Sequence, residues 1–266
     1  MKINTVPALT ELGAARHPGA LRAIGLAAAV SLALAFGTLS GSLLKPYLAA
    51  ALPTGVPYLR AAVVTLIDLS VFVLLLRIGG VRLTQQAEIS GVFAPVGLPL
   101  VFAVVTLAPA IAICAASVPL AHDVTPADLA WKTFLGPFAE EVGFRGLAVG
   151  VLMRLCGWPL VPACIWPAVF FGAAHAWQGS DPAEIAGVVG ITAAGGLLFG
   201  WLFVRWSFNL WPPIFLHAGL NGIWLLFDLG ENAIGGWLSN ALRLGTVALA
   251  IVGTLWLTRR RTVERQ

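Results

Sequence analysis

Charge is what this chain has least of: only 11% of its 266 residues are Asp, Glu, Lys or Arg. A soluble domain carries roughly twice that fraction, so a water-soluble fold is excluded. Cysteine is confined to Cys114, Cys156 and Cys164, with no paired spacing. That excludes a disulfide framework or a cysteine-based metal site and leaves three small core packers. No HExxH sequence occurs, which excludes a zinc site built on one helix. Alternation of polar and apolar residues is missing too, and with it a transmembrane barrel. No connection between apolar runs is long enough to form a separate soluble domain, and no internal repeat supports an inverted-repeat transporter.

Apolar residues dominate instead, at 59%, with a mean hydropathy of +0.89. Several windows reach the roughly 20 residues needed to cross a bilayer, where only helices satisfy the backbone of such runs. The expected fold is all-α: a polytopic membrane protein of eight spans, at 21–44, 59–77, 97–120, 126–155, 158–177, 184–205, 210–227 and 236–257. With the N-terminus inside, the inner side collects Lys2, Arg16, Arg22, Arg77, Arg82, Arg154, Arg205, Arg259, Arg260, Arg261 and Arg265. The outer side holds only Lys45, Arg60 and Lys132, together with the acids Asp123, Asp128, Asp181, Glu184, Asp228 and Glu231. This bias predicts both termini cytoplasmic, with a 1–20 N-terminal segment and a 258–266 basic tail. The net charge of +4 belongs to these inner loops and the tail, so the expected partner is anionic lipid, not nucleic acid. The first apolar run is too long for a signal-peptide core and is read as retained. Arg-over-Lys and Ala-rich usage points to a bacterial source and its plasma membrane.

Residues 1–266 thus read as one membrane domain. Tryptophans near span ends, among them Trp131, Trp158, Trp177, Trp206, Trp211 and Trp237, read as interface anchors. Gly196 and Gly200 form a GxxxG in the sixth span, a site for close helix approach. Asp68 and Arg243 sit at similar depth in the second and eighth spans, which allows a pair between them.

The fourth span departs most from its surroundings, because Glu140-Glu141-Val142-Gly143-Phe144-Arg145 places three ionisable groups in an apolar helix. Each costs about 2.5–3.5 kcal/mol near the bilayer centre on insertion scales, so such groups face a protein interior or a cavity. Thr125-Pro126-Ala127-Asp128 offers a helix start upstream. Pro137 is positioned to kink the helix one turn before the acids. Glu141 and Arg145 stand four apart with the acid first, the favoured order for a same-face pair. Glu140 lies about 100° away and stays free for a ligand, a metal or a water. In the fifth span Phe171 and His175 share a face, and in the seventh His217 and Asn221 do so. These residues read either as one buried network or as a site at which helices 4, 5 and 7 converge.

The order EExxxR, FxxxH, HxxxN on separate membrane helices resembles the CPBP family of intramembrane proteases, which includes type II CAAX prenyl endopeptidases and bacteriocin-processing or self-immunity relatives. The motifs are Glu140–Arg145, Phe171–His175 and His217–Asn221, within a core of about residues 125–225. The resemblance implies an endopeptidase acting on a membrane-associated or lipidated peptide or protein. Its catalytic residues would be Glu140, His175, His217 and Asn221, supported by Glu141, Arg145 and Phe171. In one account Glu140, helped by His175, activates a water while His217 and Asn221 stabilise the oxyanion, and no cofactor is required. In the other, Glu140, His175 and His217 bind zinc. The competing functions are a non-catalytic scaffold or self-immunity protein that keeps the polar network, and a proton-relay transporter. One tension comes with the straight-span reading: His175 falls near the outer end of its helix and His217 nearer the inner end of its own, roughly 10 Å apart in depth at 1.5 Å per residue.

Overall fold

The computed structural model describes residues 19–230 and 232–263. The expectations placed on Lys2, Arg16, Glu231 and Arg265, and on the side chains of Arg260 and Arg261, lie outside what it describes.

All regular structure among the described residues is helical. Helix α1 is Ala20–Ala51, α2 Leu59–Ile78, α3 Leu83–Ser90 and α4 Gly97–Ser117. A continuous helical run over 126–154, α5, follows; then α6 (Leu160–Ala174), α7 (Pro182–Arg205), α8 (Trp211–Leu226) and α9 (Trp237–Val263). Among the described residues six helices are long and apolar enough to cross a membrane: α1, α2, α4, α6 with the short turn after it, α7 and α9. Two expected spans fall short of that standard for different reasons. Helix α8 has only 16 residues, and α5 is broken into shorter pieces. Helix α1 runs past its expected end at 44 and carries Pro46 inside it, while the short α3 was not anticipated.

The pieces of α5 bear directly on the site. Its start is a capping box: the Thr125 hydroxyl accepts from the Asp128 amide at 3.1 Å, and the Asp128 carboxylate accepts from the Thr125 amide at 3.1 Å. Such reciprocal bonds satisfy two of the free N–H groups at a helix start. After the opening turn Pro126–Asp128, the backbone widens to π-helical over Leu129–Leu135. It returns to α-helix over Gly136–Glu141 and widens again over Val142–Val149 before Gly150–Arg154 closes the run. Pro137 accounts for the first widening, since a proline ring crowds the preceding turn and gives no N–H to the ladder. The bend expected at Pro137 therefore takes the form of a wide turn.

Three apolar clusters form the core, and two of them include residues of this broken helix. One joins α1, α2 and α3 to the second half of α5, through residues such as Leu26, Leu76, Ile89 and Leu152. A second joins α4, α7, α8 and α9 around Phe102, Phe199 and Leu216. The third, with Val149, Cys164, Phe203 and Ile214, lies between them. Helices α6 and α7 make the most extensive pairing, because small residues line it. A Cβ on Gly196 would stand 3.1 Å from the Ala168 Cβ, one on Gly200 3.1 Å from the Cys164 Sγ, and one on Gly172 2.6 Å from the Val189 carbonyl oxygen. The GxxxG thus brings two helices together as expected. Gly91 ends α3 at φ 71, where an added Cβ would collide with the Phe208 carbonyl; both the left-handed backbone and the contact require glycine. The three cysteines are unpaired.

Asp68 and Arg243 do not meet. Asp68 packs against Gly37 and Ser40 of α1, and its Oδ1 is buried without a partner. Arg243 donates to the Ala233 carbonyl at 2.7 Å and the Asn240 side chain at 3.0 Å, and lies 4.3 Å over the Trp224 ring. Similar depth in two spans does not make neighbours; α2 packs on α1, and α9 packs on α4.

Candidate active site

Glu141 is the centre of the polar cluster. Its side chain is 0% exposed, and Arg145, one turn on, is 2% exposed with Nη1 3.0 Å from Glu141 Oε1. The same oxygen lies 2.8 Å from His217 Nδ1. Arg145 is covered by aromatic faces, 4.2 Å from the Phe171 centroid and 5.4 Å from that of Phe199. Rings that accept a desolvated guanidinium in this way offset part of its burial. Gly196 leaves the room, since its Cβ would come within 3.4 Å of Arg145 Nη2. The pairing of Glu141 with Arg145 follows the sequence reading; the enclosure by Phe199 does not appear in it. The only available signal is one aromatic set among the glycines of Gly195-Gly196-Leu197-Leu198-Phe199-Gly200.

Hydrogen-bond chemistry then orients His217. A carboxylate paired with arginine only accepts, so His217 carries its proton on Nδ1 and donates it to Glu141. The ring stacks on Phe199 at 5.2 Å, which leaves Nε2 facing Glu140 Oε2 at 3.7 Å. Glu140 is the open member of the cluster, 36% exposed. Adjacent residues 100° apart on the helix thus straddle one imidazole: Glu141 takes its inner nitrogen and Glu140 looks toward the outer.

His175 ends α6, and its Nδ1 donates to the Phe171 carbonyl of its own helix at 2.7 Å. A carbonyl only accepts, so this bond places the His175 proton on Nδ1 and presents Nε2 outward. Among the described residues His175 forms no ion pair with a carboxylate; the imidazole beside Glu140 is that of His217. One ring, Phe171, touches both imidazoles, with its centroid 4.6 Å from that of His175 and 6.1 Å from that of His217. The helices that carry them are shorter than straight, full-length spans. Helix α6 starts only at Leu160, and α8 begins inside the protein, with Leu210, Pro212, Pro213 and Ile214 buried.

Asn221, one turn beyond His217, donates from Nδ2 to the backbone carbonyl of Lys132 at 3.0 Å. Its side chain thus reaches the first wide turn of α5. No group of three His, Cys, Asp or Glu side chains gathers at metal-binding distance among the described residues. Glu140 and His217 converge, both histidines keep Nε2 free while Nδ1 is engaged, and among the described residues His175 makes no ion pair with a carboxylate.

Six membrane-length helices among the described residues, together with a buried Glu-Arg-His cluster, define an integral membrane protein with polar chemistry in its interior. Residues 123–223, which contain all three motifs, match the family described as type II CAAX prenyl endopeptidase Rce1-like. That match agrees with the CPBP resemblance, and the family is one of proteases. No curated protein and no solved structure matches the chain.

Proposed function

We propose that this protein is an intramembrane endopeptidase that hydrolyses a peptide bond with a water activated by Glu140 and His217. The supporting observation is the 3.7 Å gap between Glu140 Oε2 and His217 Nε2. The Nδ1 proton donated to Glu141 leaves Nε2 as an acceptor, and an acceptor nitrogen facing a carboxylate oxygen at this distance calls for a shared donor. Water is the donor that hydrolysis needs. Glu140 takes a proton from it, and the oxygen attacks the scissile carbonyl carbon to give a tetrahedral oxyanion. Glu140 then returns the proton to the leaving amine as the C–N bond breaks, so atoms and charge balance. Glu141, fixed by Arg145, holds the His217 ring in one tautomer and orientation, as a carboxylate does for a catalytic histidine elsewhere. The second amide N–H of Asn221 is the donor for the oxyanion, a contact typically worth ~2.7–4 kcal/mol.

In this reading α5 and α8 complete eight crossings with both termini cytoplasmic, in a bacterial plasma membrane. The substrate is a membrane-associated or lipidated peptide or protein, and lipids are the other partners. Zinc held by Glu140, His175 and His217 is the rival account, and the spread of these residues speaks against it. A scaffold or self-immunity role draws on the same buried network without turnover.

Peptidomics of membranes carrying the wild type or Glu140→Gln, with and without a chelator, separates these readings. Endopeptidase activity predicts a set of peptides that vanishes in Glu140→Gln and persists with the chelator. Identical peptide sets point to the scaffold, and loss on chelation to zinc.

A further inference from the structure

The Lys132 carbonyl is left without its ladder partner. In the wide turn the Gly136 amide goes to Trp131, one residue earlier. The residue five beyond Lys132, which would serve its carbonyl next, is Pro137, and proline has no N–H. A backbone carbonyl that loses its ladder donor is taken up by a side chain or by water, and this one lies at an exposed position of the wide turn. Here the donor comes from another helix: Asn221 Nδ2, at 3.0 Å.

This bond has a consequence for the site. Helix α8 is tied to α5 at two levels, on either side of the Glu140–His217 gap. On one side His217 Nδ1 holds Glu141 at 2.8 Å; on the other Asn221 holds Lys132. Between them lie Pro137 and the short α-helical piece Gly136–Glu141 that carries both acids. Apolar packing sets the place of α8, and the Asn221 bond adds a second fixed point that sets its rotation against α5 and so the width of the Glu140–His217 gap. We infer that Pro137 is a positioning residue: by withholding an N–H it keeps the Lys132 carbonyl open to Asn221, and that bond fixes His217 opposite Glu140. The inference rests on the endopeptidase reading for its effect on turnover, but its structural half stands apart from it.

Two measurements test the halves separately. The first is a stability cycle in detergent with Pro137→Ala, Asn221→Ala and the double variant. Asn221→Ala alone should lower the unfolding midpoint modestly, because it removes the cross-helix bond and leaves the exposed Lys132 carbonyl to water. On the Pro137→Ala background the same change should cost little, because the new amide at 137 serves that carbonyl. Equal losses on both backgrounds overturn the inference. The second follows the initial rate at which the Glu140-dependent peptides appear. Pro137→Ala should fold at least as stably as the wild type yet lose ten-fold or more in rate, and the double variant should be no slower than Asn221→Ala. Full activity of Pro137→Ala beside a crippled Asn221→Ala overturns the positioning role and leaves the endopeptidase reading intact. If Glu140→Gln changes no peptide, the endopeptidase reading fails while the stability cycle still decides the bond.

Discussion

Replacing Arg145 with methionine keeps much of its bulk and removes its charge. Glu141 would then be a fully buried carboxylate with His217 as its remaining partner. The attraction lost can be sized from the 3.0 Å separation: at an effective dielectric of about 20 it is roughly 5–6 kcal/mol. Relief from burying the guanidinium offsets part of that, and breaking one side of a buried pair typically costs about 3–5 kcal/mol. Loss of the face-on contact with Phe171 acts in the same direction. Arg145→Met should therefore destabilise the protein by about 3–5 kcal/mol. Equilibrium unfolding in mixed micelles, followed by the fluorescence of the ten tryptophans, measures it. Glu140→Gln, at a site 36% exposed, should cost less than about 1 kcal/mol. Adding Glu141→Gln to Arg145→Met should recover most of the loss, since no uncompensated charge remains. An Arg145→Met protein within about 0.5 kcal/mol of wild type would refute the view that this pair holds the core.

Three other perturbations reach different parts of the molecule. Gly172→Ala drives a methyl group to within 2.6 Å of the Val189 carbonyl oxygen; it should separate α6 from α7, cost about 1–3 kcal/mol and slow peptide release by displacing Phe171 and His175, as thermal unfolding and peptidomics will register. Arg243→Met removes charged hydrogen bonds to Ala233 and Asn240, each worth about 1.5–3 kcal/mol, and limited proteolysis should cut the α8–α9 connection faster. Cys156 lies between α5 and α6, and burial pushes its thiol up to about 11. Reaction needs the thiolate, so maleimide labelling near neutral pH should run about 100-fold slower than for an unshifted thiol and rise toward parity after denaturation.

What the sequence made legible is what depends on near neighbours in the chain. The capping box at Thr125 and Asp128, the Glu141–Arg145 pair and the approach at Gly196 and Gly200 each follow from a spacing of three or four residues. What it hid depends on how helices sit against each other. The partner of Glu140 is His217, and no spacing encodes that choice between two histidines. The Asp68–Arg243 pair failed for the same reason, since depth along a span says nothing about which helices touch. Lengths misled as well. Treating 126–155 and 210–227 as ordinary straight spans concealed the wide turns of α5 and the buried start of α8, and both are needed to bring His175 and His217 to one Phe171 ring.

The i,i+4 spacing of Glu141 and Arg145 also has a meaning in time. His217 is 76 residues beyond Glu141, and at ~5–20 residues per second a ribosome needs about 4–15 s to reach it. During that interval the nascent α5 has neither the imidazole nor the Phe171 and Phe199 faces that later enclose Arg145. Arg145 then has only the acids of its own helix, and Glu141, one turn away, is the one that pairs with it from the start. The pair that anchors the finished core is thus also what lets the charged segment wait in the membrane until the rest of its site is made.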